Sequence, residues 1–146
     1  MLYQADYSIR RDAAELDSTG YMEIGPGRYS GVHWQQGFLF IWADAFTLAE
    51  GILLKHFKTY DHFAMNDVPK AVGLKVIEEW HRVAKLLPTV RSAEAARLLN
   101  LRAFFHPDLE DVIQRDNDNI AAMLKELANE CDSFYASDDW ICVLGI

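Results

Sequence analysis

Histidines and carboxylates are the side chains of this sequence with the most chemistry to offer, and their spacing decides what that chemistry could be. Among the five histidines, His56 and His62 lie closest together, with Asp61 beside the second, while His81 and His106 stand apart. Two imidazoles that share a metal ion on one helix face need a spacing of three or four residues. His56 and His62 are six apart across an expected helix end, and neither Cys131 nor Cys142 is near them in sequence. No metal site and no cofactor are expected.

The segment Tyr60-Asp61-His62-Phe63-Ala64-Met65-Asn66 has the highest density of functional side chains. An Asp next to a His could orient an imidazole for proton transfer, with Asn66 as a further polar group. Adjacent residues seldom point at each other, however, and no Ser or Cys nucleophile sits on a recognisable turn. The plainer account is a structural loop, in which Tyr60 and Phe63 pin the chain to the core while Asp61 and Asn66 satisfy backbone groups.

Other candidates fall to simple checks. Arg115-Asp116-Asn117-Asp118-Asn119 begins like a Ca²⁺ loop but lacks the glycine and the closing glutamate, so capping of a helix by Asp118 or Asn119 explains it better. Gly25-Pro26-Gly27 has neither the Lys nor the Ser/Thr of a phosphate-binding loop and reads as a turn. Glu78 and Glu79 are neighbours on a helix, diverge by ~100°, and are expected to be solvated.

These residues must be positioned by elements that the hydrophobic pattern indicates. Tyr3, Ala5, Tyr7 and Ile9 alternate with polar residues, as in a half-buried strand. Arg10–Thr19 is polar with room for a helical turn. Tyr21–Ile24 and Tyr29–Trp34 flank the Gly-Pro-Gly turn and predict a hairpin, with His33 on the face opposite Val32 and Trp34. Phe38–Trp42 is a continuous apolar run, expected as a buried strand.

From Asp44, a plausible N-cap, the period becomes helical through Phe57; Thr59–Val68 is expected as a loop. Further helices are expected over Pro69–Leu87, Ser92–Phe105, a short stretch from Pro107, and Ile120–Cys131. Asp132–Asp139 reads as a loop and Trp140–Leu144 as a final buried strand. Strands at both ends with helices between predict one α+β domain over residues 1–146, the last strand returning to the N-terminal sheet.

The 146 residues are 51% apolar, which fits a globular chain with a sizeable core. Two cysteines do not make a disulfide framework, and no apolar leader opens the chain, so free thiols in the cytoplasm are expected. A formal charge of −8 argues against nucleic-acid binding by phosphate neutralisation, and no apolar run is long enough for a membrane span of ~30 Å. The charge is uneven. Residues 1–50 hold seven acids and three bases, residues 51–105 five and nine, and residues 106–146 ten and two. The last 41 residues therefore equal the whole net charge. Helices solvating their outer faces would produce such a map. So would an acidic surface made of Asp108, Glu110, Asp111, Asp116, Asp118, Glu126, Glu130, Asp132, Asp138 and Asp139, which would attract a cationic partner. Trp34, Trp42, Trp80 and Trp140 are mainly core candidates, but one left exposed would be a strong interface anchor.

A small acidic α+β chain with this charge map and no catalytic motif resembles the immunity proteins of bacterial polymorphic and contact-dependent toxin systems. The resemblance implies a non-enzymatic module that binds and neutralises a cognate basic toxin domain; the residues of that family's sites do not map onto any motif here. The alternatives are a small hydrolase using the Asp61/His62 loop and a structural, oligomerising subunit with an exposed aromatic face.

Overall fold

The structure, a computed structural model, describes residues 5–101 and 109–145. Five strands form one antiparallel sheet: β1 (Ile9–Arg10), β2 (Tyr21–Pro26), β3 (Leu39–Trp42), β4 (Met65–Pro69) and β5 (Trp140–Leu144), in the spatial order β1-β3-β2-β5-β4. Four α-helices complete the fold among the described residues: α1 (Ala43–His56), α2 (Lys70–Leu86), α3 (Ser92–Leu98) and α4 (Leu109–Ser137). The fold is α+β, and the C-terminal strand does return to the N-terminal sheet, between β2 and β4.

Strand alternation divides the sheet into two faces. Met22, Ile24, Leu39, Ile41, Val68, Ile141 and Val143 point to the helices and join the main core with Phe46, Ile52, Trp80 and Leu127. Each fully buried side chain of this size contributes ~1.5–3 kcal/mol. Tyr21, Phe40, Cys142 and Leu144 point the other way and, with Phe38, form a second, smaller cluster. Ala13 and Leu16, from a short 3₁₀ turn, and Tyr29, from the β2–β3 connection, pack onto it. The helices thus cover one face, and among the described residues only short segments cover the other.

Several expectations are corrected. Among the described residues before β2, only Ile9–Arg10 pairs as a strand, and Tyr3 lies outside the described residues. The hairpin partner of β2 is β3, not Tyr29–Trp34, because Gly27, Gly31 and Gly37 all adopt positive φ and break any strand between them. Thr59–Val68 is not wholly loop, since β4 begins at Met65. The two expected helices around Ile120 are one, α4, 29 residues and about 43 Å long. Asp118 and Asn119 are therefore helix interior rather than caps, and the helix runs on to Ser137. Packing of Ile113, Ile120, Leu124 and Leu127 into the core overrides the low helix propensity of the Asp/Asn run. Phe105, His106 and Pro107 lie outside the described residues.

Candidate functional site

The face of the sheet turned away from the helices carries an unusual centre. Glu23 is in the middle strand, 2% exposed, on a face otherwise lined by aromatic and aliphatic groups. In the paired register its row runs Met65–Leu144–Glu23–Phe40–Arg10 across the five strands. A carboxylate here must be satisfied by neighbours, and the 12 residues between β2 and β3 supply them. The His33 Nδ1 lies 2.5 Å from Glu23 Oε2, and the Trp34 backbone N–H donates to Oε1 at 2.5 Å. The other ring nitrogen of His33 meets the Tyr29 hydroxyl at 3.2 Å, and Tyr29 N–H donates to Asp67 Oδ1 at 2.7 Å.

This network fixes the loop in a conformation it would not choose alone. Trp34 has φ +60°, the left-handed region that non-glycine residues avoid. Its ring stacks on Phe40 at 5.9 Å between centroids yet stays 40% exposed. Val32 beside it is 55% exposed, and Met65 at the far end of the Glu23 row is 43% exposed. Trp80 is buried, and Trp42 and Trp140 are half-buried. Trp34 is thus the exposed indole of the four.

Two further histidines repeat the device. Glu50, wholly buried in the middle of α1, bonds His62 Nδ1. Burial pushes the Glu50 carboxyl up, a rise that His62 and the nearby Tyr60 only partly oppose. Glu50 Oε2 and the Tyr60 hydroxyl are buried without a hydrogen bond of standard geometry, and the Tyr60 hydroxyl is driven far above its ordinary range by desolvation and by Glu50. Glu79 bonds His56 Nε2 at 2.9 Å and receives Lys55 Nζ at 3.0 Å. Desolvation would raise the Glu79 carboxyl, but the bonds from His56 and Lys55 outweigh it and hold it below the usual range. Glu79 is therefore buried, not solvated as its place beside Glu78 suggested, because α2 presents it to α1 rather than to water.

In all three pairs the residue after the histidine is aromatic: His33-Trp34, His56-Phe57 and His62-Phe63. Those dipeptides are visible in the sequence. Their glutamates are 10, 23 and 12 residues away and become partners only through tertiary packing.

The Asp61/His62 loop takes the structural form at Tyr60, Asp61 and Asn66 and departs from it at Phe63. Asp61 Oδ1 accepts from Phe63 N–H, and Asn66 accepts from Asp61 N–H and donates to the carbonyls of Asp61, Ala64 and Val143. Both polar side chains are occupied with backbone, and His62 turns to Glu50 instead of Asp61. Tyr60 is anchored in the core, but Phe63 is not: it is 74% exposed.

The ten acids of the C-terminal segment do not form one compact cluster. Asp108 lies outside the described residues. Glu110 and Asp111 occupy the first turn of α4, where the helix dipole favours them. Asp116 bonds Arg115 and the Tyr7 hydroxyl, and the Arg115 bond holds its carboxyl low. Arg11 bridges Glu126 and Glu130 at 2.9 and 2.8 Å. Asp118 and Asp132 are exposed along the helix. Asp138 accepts from Trp140 N–H, and Asp139 is exposed next to it, at the turn into β5. That turn adjoins the loop over the sheet: Arg28 lies on the Trp140 ring at 5.0 Å, and Gly27 N–H donates to the Trp140 carbonyl. Asp138 and Asp139 thus border the Glu23 face, while the α4 acids line the helical side.

Cys131 and Cys142 are free and buried, and desolvation pushes their thiols up to about 12 and about 11. Among the described residues, no group of three or more His, Cys, Asp or Glu is placed to hold a metal ion, and no helix is long and apolar enough to cross a membrane. Comparison with protein-family models, curated proteins and solved structures gives no match.

Proposed function

We propose that this chain is a stoichiometric protein-binding module of the immunity type, which binds and neutralises a basic toxin domain and meets it through the outer face of the sheet. The observation that carries this reading is the way Trp34 is held. A non-glycine residue at positive φ costs about 1–3 kcal/mol, and a buried carboxylate is unfavourable unless bonded. Here the two occur together, and their joint result is an indole fixed in position and still open to solvent. An anchor that is already ordered loses little freedom on binding, and Trp is the residue most enriched where binding energy concentrates.

The surroundings favour a cationic partner. Asp12, Glu15 and Asp17 flank the 3₁₀ turn at one side of this face, Asp44 accepts from the Trp42 indole, and Asp138 and Asp139 border the other side. The acids of α4 add to a net charge of −8 and to the long-range attraction of a basic domain.

Affinity capture on the immobilised chain, run in parallel with Trp34→Ala and with Asp138→Lys/Asp139→Lys, tests the reading. The expected result is a basic protein held by the unaltered chain, with affinity lowered at least about tenfold by Trp34→Ala. The charge reversal should lower the association rate and flatten its salt dependence. A partner held equally by all three proteins removes this face from consideration. Reversal at Glu110 and Asp111 then asks whether the α4 side serves instead.

A further inference from the structure

The two edges of the sheet are treated differently. The β1 edge is two residues long, and its Arg10 is tied to Asp6 at 2.8 Å. A short, charged edge resists pairing with other strands. The β4 edge is five residues long; its one charged residue, Asp67, is bonded to Tyr29 N–H and paired with Arg28, and its proline, Pro69, stands at the very end. Its hydrogen-bond directions can be read from its ends. Gly145 N–H donates to the Ala64 carbonyl and Lys70 N–H to the Asp139 carbonyl, so the even-numbered residues of this strand exchange bonds with β5. The backbone N–H and C=O groups of Met65 and Asp67 therefore point away from the sheet, with no partner among the described residues.

We propose that this edge pairs with the β4 edge of a second copy of the chain, antiparallel, about a two-fold axis through Asn66. The register follows from what each residue can offer. About that axis Met65 faces the second copy's Asp67, and Asp67 faces the second copy's Met65. All four outward groups of each chain are then bonded in two exchanged pairs. Phe63 falls opposite the second copy's Pro69. Pro69 has no N–H to give, and the Phe63 N–H is already donated to Asp61 Oδ1, so neither leaves a donor stranded. No two acids stand directly opposite, since each Asp67 faces a methionine and is already bonded to Tyr29 N–H. The exposed Phe63 and Met65 side chains gain cover in the same step. The contact is isologous and closes at two copies, joining two five-stranded sheets into one of ten. It uses the backbone of the sheet's edge and does not require Trp34 or the partner-binding reading, although the Met65 side chain lies at the border of that face.

Sedimentation velocity and light scattering over a concentration series test the pairing. The expected species at high concentration has twice the 16.7 kDa chain mass. Met65→Pro removes one outward donor and no bond to β5, and should give a monomer with an unchanged circular dichroism spectrum. Met65→Glu, placed against the second copy's Asp67, should weaken the dimer about tenfold, while Met65→Lys should leave it as tight or tighter. A chain that is monomeric at every concentration overturns the proposal. So does a dimer that survives folded Met65→Pro. If Met65→Pro does not fold, equal responses to the Glu and Lys variants overturn it.

Discussion

The Glu23 carboxylate and the His33 imidazole meet at 2.5 Å on the face of the sheet turned away from α1, α2 and α4. This contact joins strand to loop, because the second oxygen of Glu23 accepts from the next residue's N–H and so sets where Trp34 stands. Substituting Glu23 by Ala leaves a half-buried imidazole and a backbone donor without their acceptor. The loss should be about 1–3 kcal/mol in urea denaturation. Trp34 should also become mobile, seen as a sharpened, shifted indole resonance. Glu23→Gln, which keeps an acceptor for Trp34, should retain part of both. A Glu23→Ala protein with unchanged stability and an unchanged Trp34 signal would separate the loop from the carboxylate.

Glu79 predicts an acid-sensitive contribution to stability. Bonds from His56 and Lys55 more than offset its desolvation, so its carboxyl ionises below the ordinary glutamate range. Such a group stabilises the fold above its unfolded pKa, and the contribution disappears as pH falls through the lower folded value. Glu79→Gln should therefore be less stable than the unaltered chain near neutrality, by about 1–3 kcal/mol. The two should converge as pH drops below the normal carboxylate range. Stability curves measured as a function of pH that stay parallel would contradict this.

Glu50 predicts the reverse. Burial raises its carboxyl despite His62 and Tyr60, so between the ordinary value and the raised one the folded state holds more protons than the unfolded. Stability from this group then falls as pH rises through that window. Glu50→Gln has no charge to desolvate and still offers His62 an acceptor. The stability difference between Glu50→Gln and the unaltered chain should shift in favour of the variant with rising pH across that window. Guanidinium titrations at several pH values measure it, and a difference that moves the other way would mean that His62 dominates over burial.

What was legible in the sequence follows from how local each signal is. Trp140–Leu144 was expected as a strand and is β5, residue for residue, because a short β-rich apolar run stands between breakers. The expected Pro69–Leu87 helix matches α2 to within a residue at each end, its stripe of Val76, Ile77, Trp80 and Val83 being unambiguous. The Asp/Asn run at 116–119 misleads because those side chains favour helix starts, whereas the flanking isoleucines hold α4 continuous. Tyr29–Trp34 has strand-forming residues, but its glycines and the pull of Glu23 turn it into a cover for the sheet. The candidate site was the least legible part. A charge count can locate an acidic segment, but pairing Glu23, Glu50 and Glu79 with histidines requires the fold itself.

Gly51 supplies a test of how closely α1 meets the chain that follows α3. In an exposed helix interior, alanine is preferred to glycine by about 1 kcal/mol. Here a Cβ would overlap the backbone carbonyls of Leu99 and Asn100. These are backbone atoms and cannot swing aside as a side chain would. Asn100 is further committed, since its φ is +56° and its Nδ2 donates to the Gly51 carbonyl at 2.8 Å. Overpacking of this kind costs about 1–3 kcal/mol, enough to reverse the propensity gain. Gly51→Ala should therefore lower the denaturation midpoint at an unchanged slope, and the loss should exceed that of alanine at exposed Lys75 in α2. A Gly51→Ala chain more stable than the original would show that the segment after α3 can retreat from α1 without penalty.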